Sequence, residues 1–238
     1  LVPPLVKRTA ELPLRFRYAH LAAFNEGPLS RVHEQDSPPI EAEELQRIFD
    51  SLEPFPQGRI LALPQDDADG AWIRQLSAVI KDRPEFELAI EYTGRTLHSA
   101  ARAASYAHAG VRLFRAALWS ADEAQHDTVA GRPLHFRQAV EVLDFVKNMS
   151  RAELWLHVSQ RTVFDSLEAL LKMADEHGWS LLLDMRPSLG DIENIYDAPS
   201  RKEVIDRLED LSELLPSDTD CIGFSEKEIS RLLAPYMR

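Results

Sequence analysis

One pattern constrains this chain more than any other: stretches that read as strands, each followed by a single helix and a turn signal. It is plainest between Gly94 and Pro133. A helix rich in alanine stops at Gly110, and a strand follows at once over Val111–Leu118. A polar loop built around His126-Asp127 and Gly131-Arg132-Pro133 then opens the next helix at Phe136. Alanines let a helix lie close on a sheet, and a glycine just past the last turn is a common C-cap.

The same plan recurs on both sides. Strands are expected at Leu14–Tyr18, Arg59–Leu63, Phe86–Tyr92, Glu153–Val158 and Ser180–Met185, with a short seventh at Cys221–Phe224. Helices are expected at Ile40–Leu52, Ala71–Lys81, Leu97–His108, Phe136–Lys147, Val163–His177 and Arg201–Leu215, with a last one at Glu226–Met237. Apolar residues at helical spacing (Leu45, Ile48, Phe49, Leu52) and strand-period alternation distinguish the two kinds. Strand–helix alternation implies parallel strands joined by right-handed crossovers. With six or seven such units and no dinucleotide glycine fingerprint, the expected fold is α/β: a parallel (β/α) barrel, full or partial, of the TIM-barrel kind. Residues 1–12, with Pro3 and Pro4, read as an extended lead-in, and residues 216–238 as a C-terminal strand and helix extension of a single domain over 1–238.

Composition narrows what such a frame can carry. The chain holds 27 basic and 39 acidic residues, a formal charge of −12, with no local basic patch, so nucleic acid is not an expected partner. No apolar run reaches the roughly 18 residues of a membrane span, and no signal peptide is visible. A single cysteine, Cys221, rules out a disulfide framework or a cysteine-rich metal site and fits a reducing, cytoplasmic setting.

Strand parity then sorts side chains. In strand five, Leu154, Leu156 and Val158 share the face expected to meet the helices, and Glu153, Trp155 and His157 share the other, expected to face the lumen. By the same rule Glu87 and Glu91 of strand three, Leu182 and Asp184 of strand six, and Arg15 and Arg17 of strand one point inward. Strand four stays ambiguous, with Arg112 on one face and Arg115 on the other. A lumen carrying both signs reads as a structural ion-pair network or as a polar pocket at the C-terminal strand ends, where parallel barrels place their sites. For a pocket, His20, Glu91, His157 and Asp184 are the candidate catalytic groups, and Asp66, Thr93, Trp119, Trp155 and Arg186 the candidate ligand-binding ones. No metal site is expected: Asp66-Asp67-Ala68-Asp69 reads as a helix-start cluster favoured by the helix dipole. His126-Asp127 reads as a pair that shapes its loop.

The order of these motifs resembles the radical S-adenosylmethionine (SAM) superfamily from about Leu12 to Leu215. The likeness is carried by Ala117-Leu-Trp-Ser-Ala-Asp-Glu-Ala-Gln-His-Asp127 with Gly131-Arg132 and Phe136, by Thr93-Gly-Arg-Thr-Leu97, and by Ile60-Leu-Ala-Leu-Pro-Gln-Asp-Asp67 at the place of the family's Gly-Gly-Glu-Pro loop. The resemblance implies a partial barrel of six β/α units. It also exposes what is missing. The family holds a [4Fe–4S] cluster by three cysteines after strand one, where this chain has Tyr18-Ala-His-Leu-Ala-Ala-Phe-Asn-Glu26 and no cysteine. The SAM-binding glycine loop is replaced, and Ala117 stands at the strand-four serine. The expectation is a radical-SAM-like barrel with neither cluster nor SAM, serving as a non-catalytic subunit for a protein partner or a small polar ligand. The alternative is an enzyme with a polar or metal-assisted site at the strand C-termini.

Overall fold

A computed structural model describes residues 18–21, 47, 50, 58–62, 71–81, 86–92, 100–185 and 198–233. Among these, seven strands form one sheet, parallel throughout and ordered as they occur in the chain. They are β1 (Tyr18–Leu21), β2 (Gly58–Ala62), β3 (Phe86–Tyr92), β4 (Leu113–Ala117), β5 (Arg151–His157), β6 (Ser180–Asp184) and β7 (Asp220–Ile222). The helices are α1 (Ala71–Ile80), α2 (Ala100–His108), α3 (Glu123–Ala130), α4 (His135–Val146), α5 (Arg161–Asp165), α6 (Leu167–His177), α7 (Arg201–Asp210) and α8 (Glu226–Leu232), with a 3₁₀ turn at Ser212–Leu214.

One face of the sheet meets the helices. Leu88 and Ile90 of β3, Phe114 of β4, Leu154 and Leu156 of β5, and Leu181 and Leu183 of β6 share one core with residues of α1, α2, α4, α6 and α7. The opposite face holds two smaller clusters, Ala89 with Leu113, and Ala117 with Trp155 and Leu182. The faces therefore follow residue parity: odd positions of β3, β4 and β5 and even positions of β6 lie opposite the helices. This resolves β4, whose pattern alone is ambiguous. Arg115 sits with Leu113 and Ala117 on the opposite face, while Phe114 and Ala116 join the helix-side core.

Several elements differ from the sequence reading. The segment around His126-Asp127 is not a loop but the helix α3. Asp122 caps it by accepting the Gln125 N–H at 2.8 Å, and Gly131 ends it at φ 66°. Its polarity misleads because α3 lies on the rim and buries only His126. The expected single helix from Val163 breaks at Ser166 into α5 and α6, and the expected helix to Leu215 ends at Asp210 before the 3₁₀ turn. The first strand, expected at Leu14–Tyr18, is found at Tyr18–Leu21, so His20 lies within a strand rather than beyond one. Residues 1–17, and with them Arg15 and Arg17, fall outside the described residues, as does most of the expected helix Ile40–Leu52.

Candidate functional site

The register stacks the face opposite the helices into tiers. Glu91 of β3, Arg115 of β4 and Glu153 of β5 lie side by side. Ala117, Trp155, Leu182 and Asp220 form the next tier, and His157, Asp184 and Ile222 the last, at the C-terminal strand ends. Parallel pairing with matched parity is what brings these residues together from five separate strands.

The first of these tiers holds an ion pair with no solvent exposure on either partner. Arg115 Nε donates to Glu153 Oε2 at 2.6 Å, and Nη2 approaches the same oxygen. A guanidinium buried this deeply persists only when paired. Burial pushes the neighbouring Glu91 carboxyl up to about 7, while the charge of Arg115 pulls the other way. Nearer the strand N-termini, Arg151 Nη2 of β5 donates to Glu87 Oε2 of β3 at 2.8 Å.

Above the ion pair the rings stack. The Arg115 guanidinium lies 5.3 Å from the Trp155 ring centre. Trp155 and His157 are 4.4 Å apart, and Trp119, two residues beyond β4, stacks on His157 at 5.2 Å with the planes 14° apart. Trp155 Nε1 donates to Asp184 Oδ2 at 3.3 Å, and His157 Nδ1 lies 3.9 Å from the same oxygen. Asp184 is 1% exposed and His157 13%. Four sequence candidates, Trp119, Trp155, His157 and Asp184, thus meet in one place, with Glu91 one strand beyond Arg115. His20 pairs in register with Leu61, which pairs in register with Ala89. Asp66, Thr93 and Arg186 lie outside the described residues.

A second polar constellation supports the first. His126, fully buried, accepts the Trp119 backbone N–H on Nδ1 at 3.1 Å, and its Nε2 is 2.8 Å from His135 Nδ1. Since Nδ1 of His126 accepts, its proton sits on Nε2 and is donated to His135. Burial, with a smaller contribution from His135, lowers the His126 pKa to about 4, so the ring stays neutral near neutrality. Asp127 beside it clamps the start of α4. Its carboxylate accepts the Leu134 N–H at 2.5 Å and the Phe136 N–H at 2.9 Å, and the latter bond leads in holding its pKa low. The pair shapes the chain after β4 and fixes where Trp119 leaves the strand. His135 carried no sequence signal beyond its spacing of nine residues from His126. Arg115 and Glu153 could have been matched as opposite charges of like parity on successive strands.

Among the described residues, no three His, Cys, Asp or Glu side chains are grouped to hold a metal ion, and no helix is long and apolar enough to cross a membrane. No protein-family model and no curated protein matches the chain. Among solved structures it is similar to a protein described as an aldo-keto reductase from Pseudomonas aeruginosa, at 9% identity and a TM-score of 0.38, over 93% of this chain and 90% of that one. At that score nothing is carried from one protein to the other.

Proposed function

We propose that this chain is a radical-SAM-like (β/α) barrel of six to seven units that lacks an iron–sulfur cluster and acts as a binding or partner subunit, with its ligand end at the C-terminal ends of β4, β5 and β6. Parallel strands in chain order with right-handed crossovers put all connecting helices on one side. The clusters on the other side contain no helix residue among those described, yet Arg115, Glu153 and Leu182 there are fully buried. A face buried without helices is what closure into a barrel supplies.

The observation that carries the functional half is the cysteine. The 238 residues contain one, and Cys221 lies in β7, packed against the helix-side core. The segment from Tyr18 to Glu26 has no thiolate to offer, so the residues do not fit a [4Fe–4S] cluster. Reconstitution of the whole chain with iron and sulfide is expected to yield no cluster absorbance, and calorimetry with micromolar SAM no heat. A stable cluster, or SAM heat at that concentration, would overturn the proposal.

Two features favour a catalytic second reading, in which the strand ends do acid–base or metal-assisted chemistry. Glu91 titrates near neutrality, and His157 faces Asp184. Stoichiometric zinc, iron or manganese in the purified protein would favour that reading over the first.

A further inference from the structure

One buried side chain, His126, anchors the helix α3. The other holds lie nearer solvent: Ser120 Oγ donates to Gln125 Oε1 at 2.7 Å, and the Glu123–Arg137 ion pair is exposed. Both nitrogens of the His126 ring are committed. Nδ1 accepts the Trp119 backbone N–H at 3.1 Å, so its proton is on Nε2, 2.8 Å from the accepting Nδ1 of His135. A further proton on either ring has to enter a contact already made. On His126 Nδ1 it meets the Trp119 N–H, and on His135 Nδ1 it meets the His126 N–H. Moving the shared proton across to His135 only transfers the conflict to Trp119. The pair therefore takes up no added proton intact, whereas an ordinary histidine accepts one near pH 6.5.

The groups facing the pair do not remove this constraint. Asp127 of α3 attracts a proton to His126, but burial and His135 outweigh it. Its carboxylate is bound to the Leu134 and Phe136 N–H groups and holds Leu134 at φ 63°, a strained conformation that favours release. Tyr92 of β3, whose ring lies 5.0 Å from that of His135, is pushed up to about 12, chiefly by burial, and stays neutral. Arg132 before α4 and Glu141 of α4 act on Tyr92 with opposite sign. Beyond Trp119 stand His157 of β5, stacked on that indole, and Asp184 of β6.

We propose that α3 is an acid-released latch: proton uptake by the His126–His135 pair frees α3 and lets Trp119 leave its stack on His157. The folded His126 ring binds its proton at about 4 and a released one near 6.5. The latch is therefore shut above pH 6.5, and each unit below that, down to 4, favours release about tenfold more. As regulation of the ligand end, this rests on the reading proposed for the strand C-termini. As a conformational switch it does not, and its test involves no ligand.

The test is native-state hydrogen exchange on the full chain labelled with ¹⁵N-tryptophan, corrected for the intrinsic pH dependence of exchange. Protection of the Trp119 backbone amide is expected to fall about 30-fold from pH 7.5 to pH 5. It should stay below that of Trp179, whose amide donates to the Ala174 carbonyl at 2.9 Å, and should not change in low urea, because a local opening exposes little surface. Protection that does not fall, or that falls only through a urea-sensitive opening shared with Trp179, overturns the proposal, and these wild-type measurements decide without any variant. Two variants then locate the proton. His126→Gln keeps an acceptor and a donor but does not titrate, so it should abolish the pH dependence at Trp119. His157→Asn should retain it. A His126→Gln chain that still loses protection, or a His157→Asn chain that no longer does, overturns the assignment to His126.

Discussion

Arg115 shows what a single residue decides here. Its neighbours in sequence are apolar and half of β4 is core, yet parity turns it to the face where Glu153 waits one strand away. Arg115→Met would leave the Glu153 carboxylate buried without its guanidinium, a loss of about 3–5 kcal/mol of folding stability. Arg115→Met combined with Glu153→Met would recover most of that, since two well-packed apolar side chains replace the pair. Urea denaturation of the two single variants and the double variant reads this directly. A single variant losing less than about 1 kcal/mol would mean that the ion pair is not holding the tiers together.

At the level of elements, the ends matter more than the middles. Serine caps with a reciprocating glutamate start α7 (Ser200 with Glu203) and α8 (Ser225 with Glu228), a pattern readable in sequence. The start of α4 is of another kind. Leu134 there has φ 63°, a left-handed conformation that a leucine rarely adopts, and it is held by a carboxylate seven residues back. The passage from α2 to β4 depends on Gly110, at φ 112°, where an added Cβ would lie 2.0 Å from Ser77 Oγ on α1. Gly110→Ala is therefore expected to destabilise the fold by about 1–3 kcal/mol, from the strained backbone and the displaced serine together. Gly131→Ala tests the division of causes, because its added Cβ would meet nothing within 4 Å and only the backbone term remains. Thermal melts should rank wild type above Gly131→Ala, and that above Gly110→Ala.

For the whole molecule, two buried groups set opposing pH dependences. His126 has a folded pKa of about 4 against 6.5 for an ordinary histidine. The unfolded chain takes up that proton first, so stability is lost as pH falls from 6.5 towards 4. Glu91 has a folded pKa of about 7 against 4.5, so its contribution is full below 4.5 and lost as pH rises through 7. His126→Gln should flatten the acid side of the stability profile. Glu91→Gln should be more stable than wild type at pH 8 and equal to it below 4.5. Chemical denaturation across pH 4–8 checks both, and a Glu91→Gln profile parallel to wild type would show that folding leaves the Glu91 pKa at its unfolded value.

Much of the frame was legible in the chain because strand and helix periods are local. The alternation from β2 to α8 and the helix-facing aliphatics of β5 follow from neighbours a few residues apart. The polar helix α3 was not legible, since its polar residues at the rim leave no apolar stripe to read. What only the tertiary structure decided are the contacts between strands: which face Arg115 takes, that Trp119 stacks on His157, and that His126 joins His135 behind them. The physical reason is range. Periodicity encodes the direction of a side chain relative to its own element, whereas the partner it meets is set by the register of parallel strands some 40 residues apart in the chain, and no local pattern records that offset.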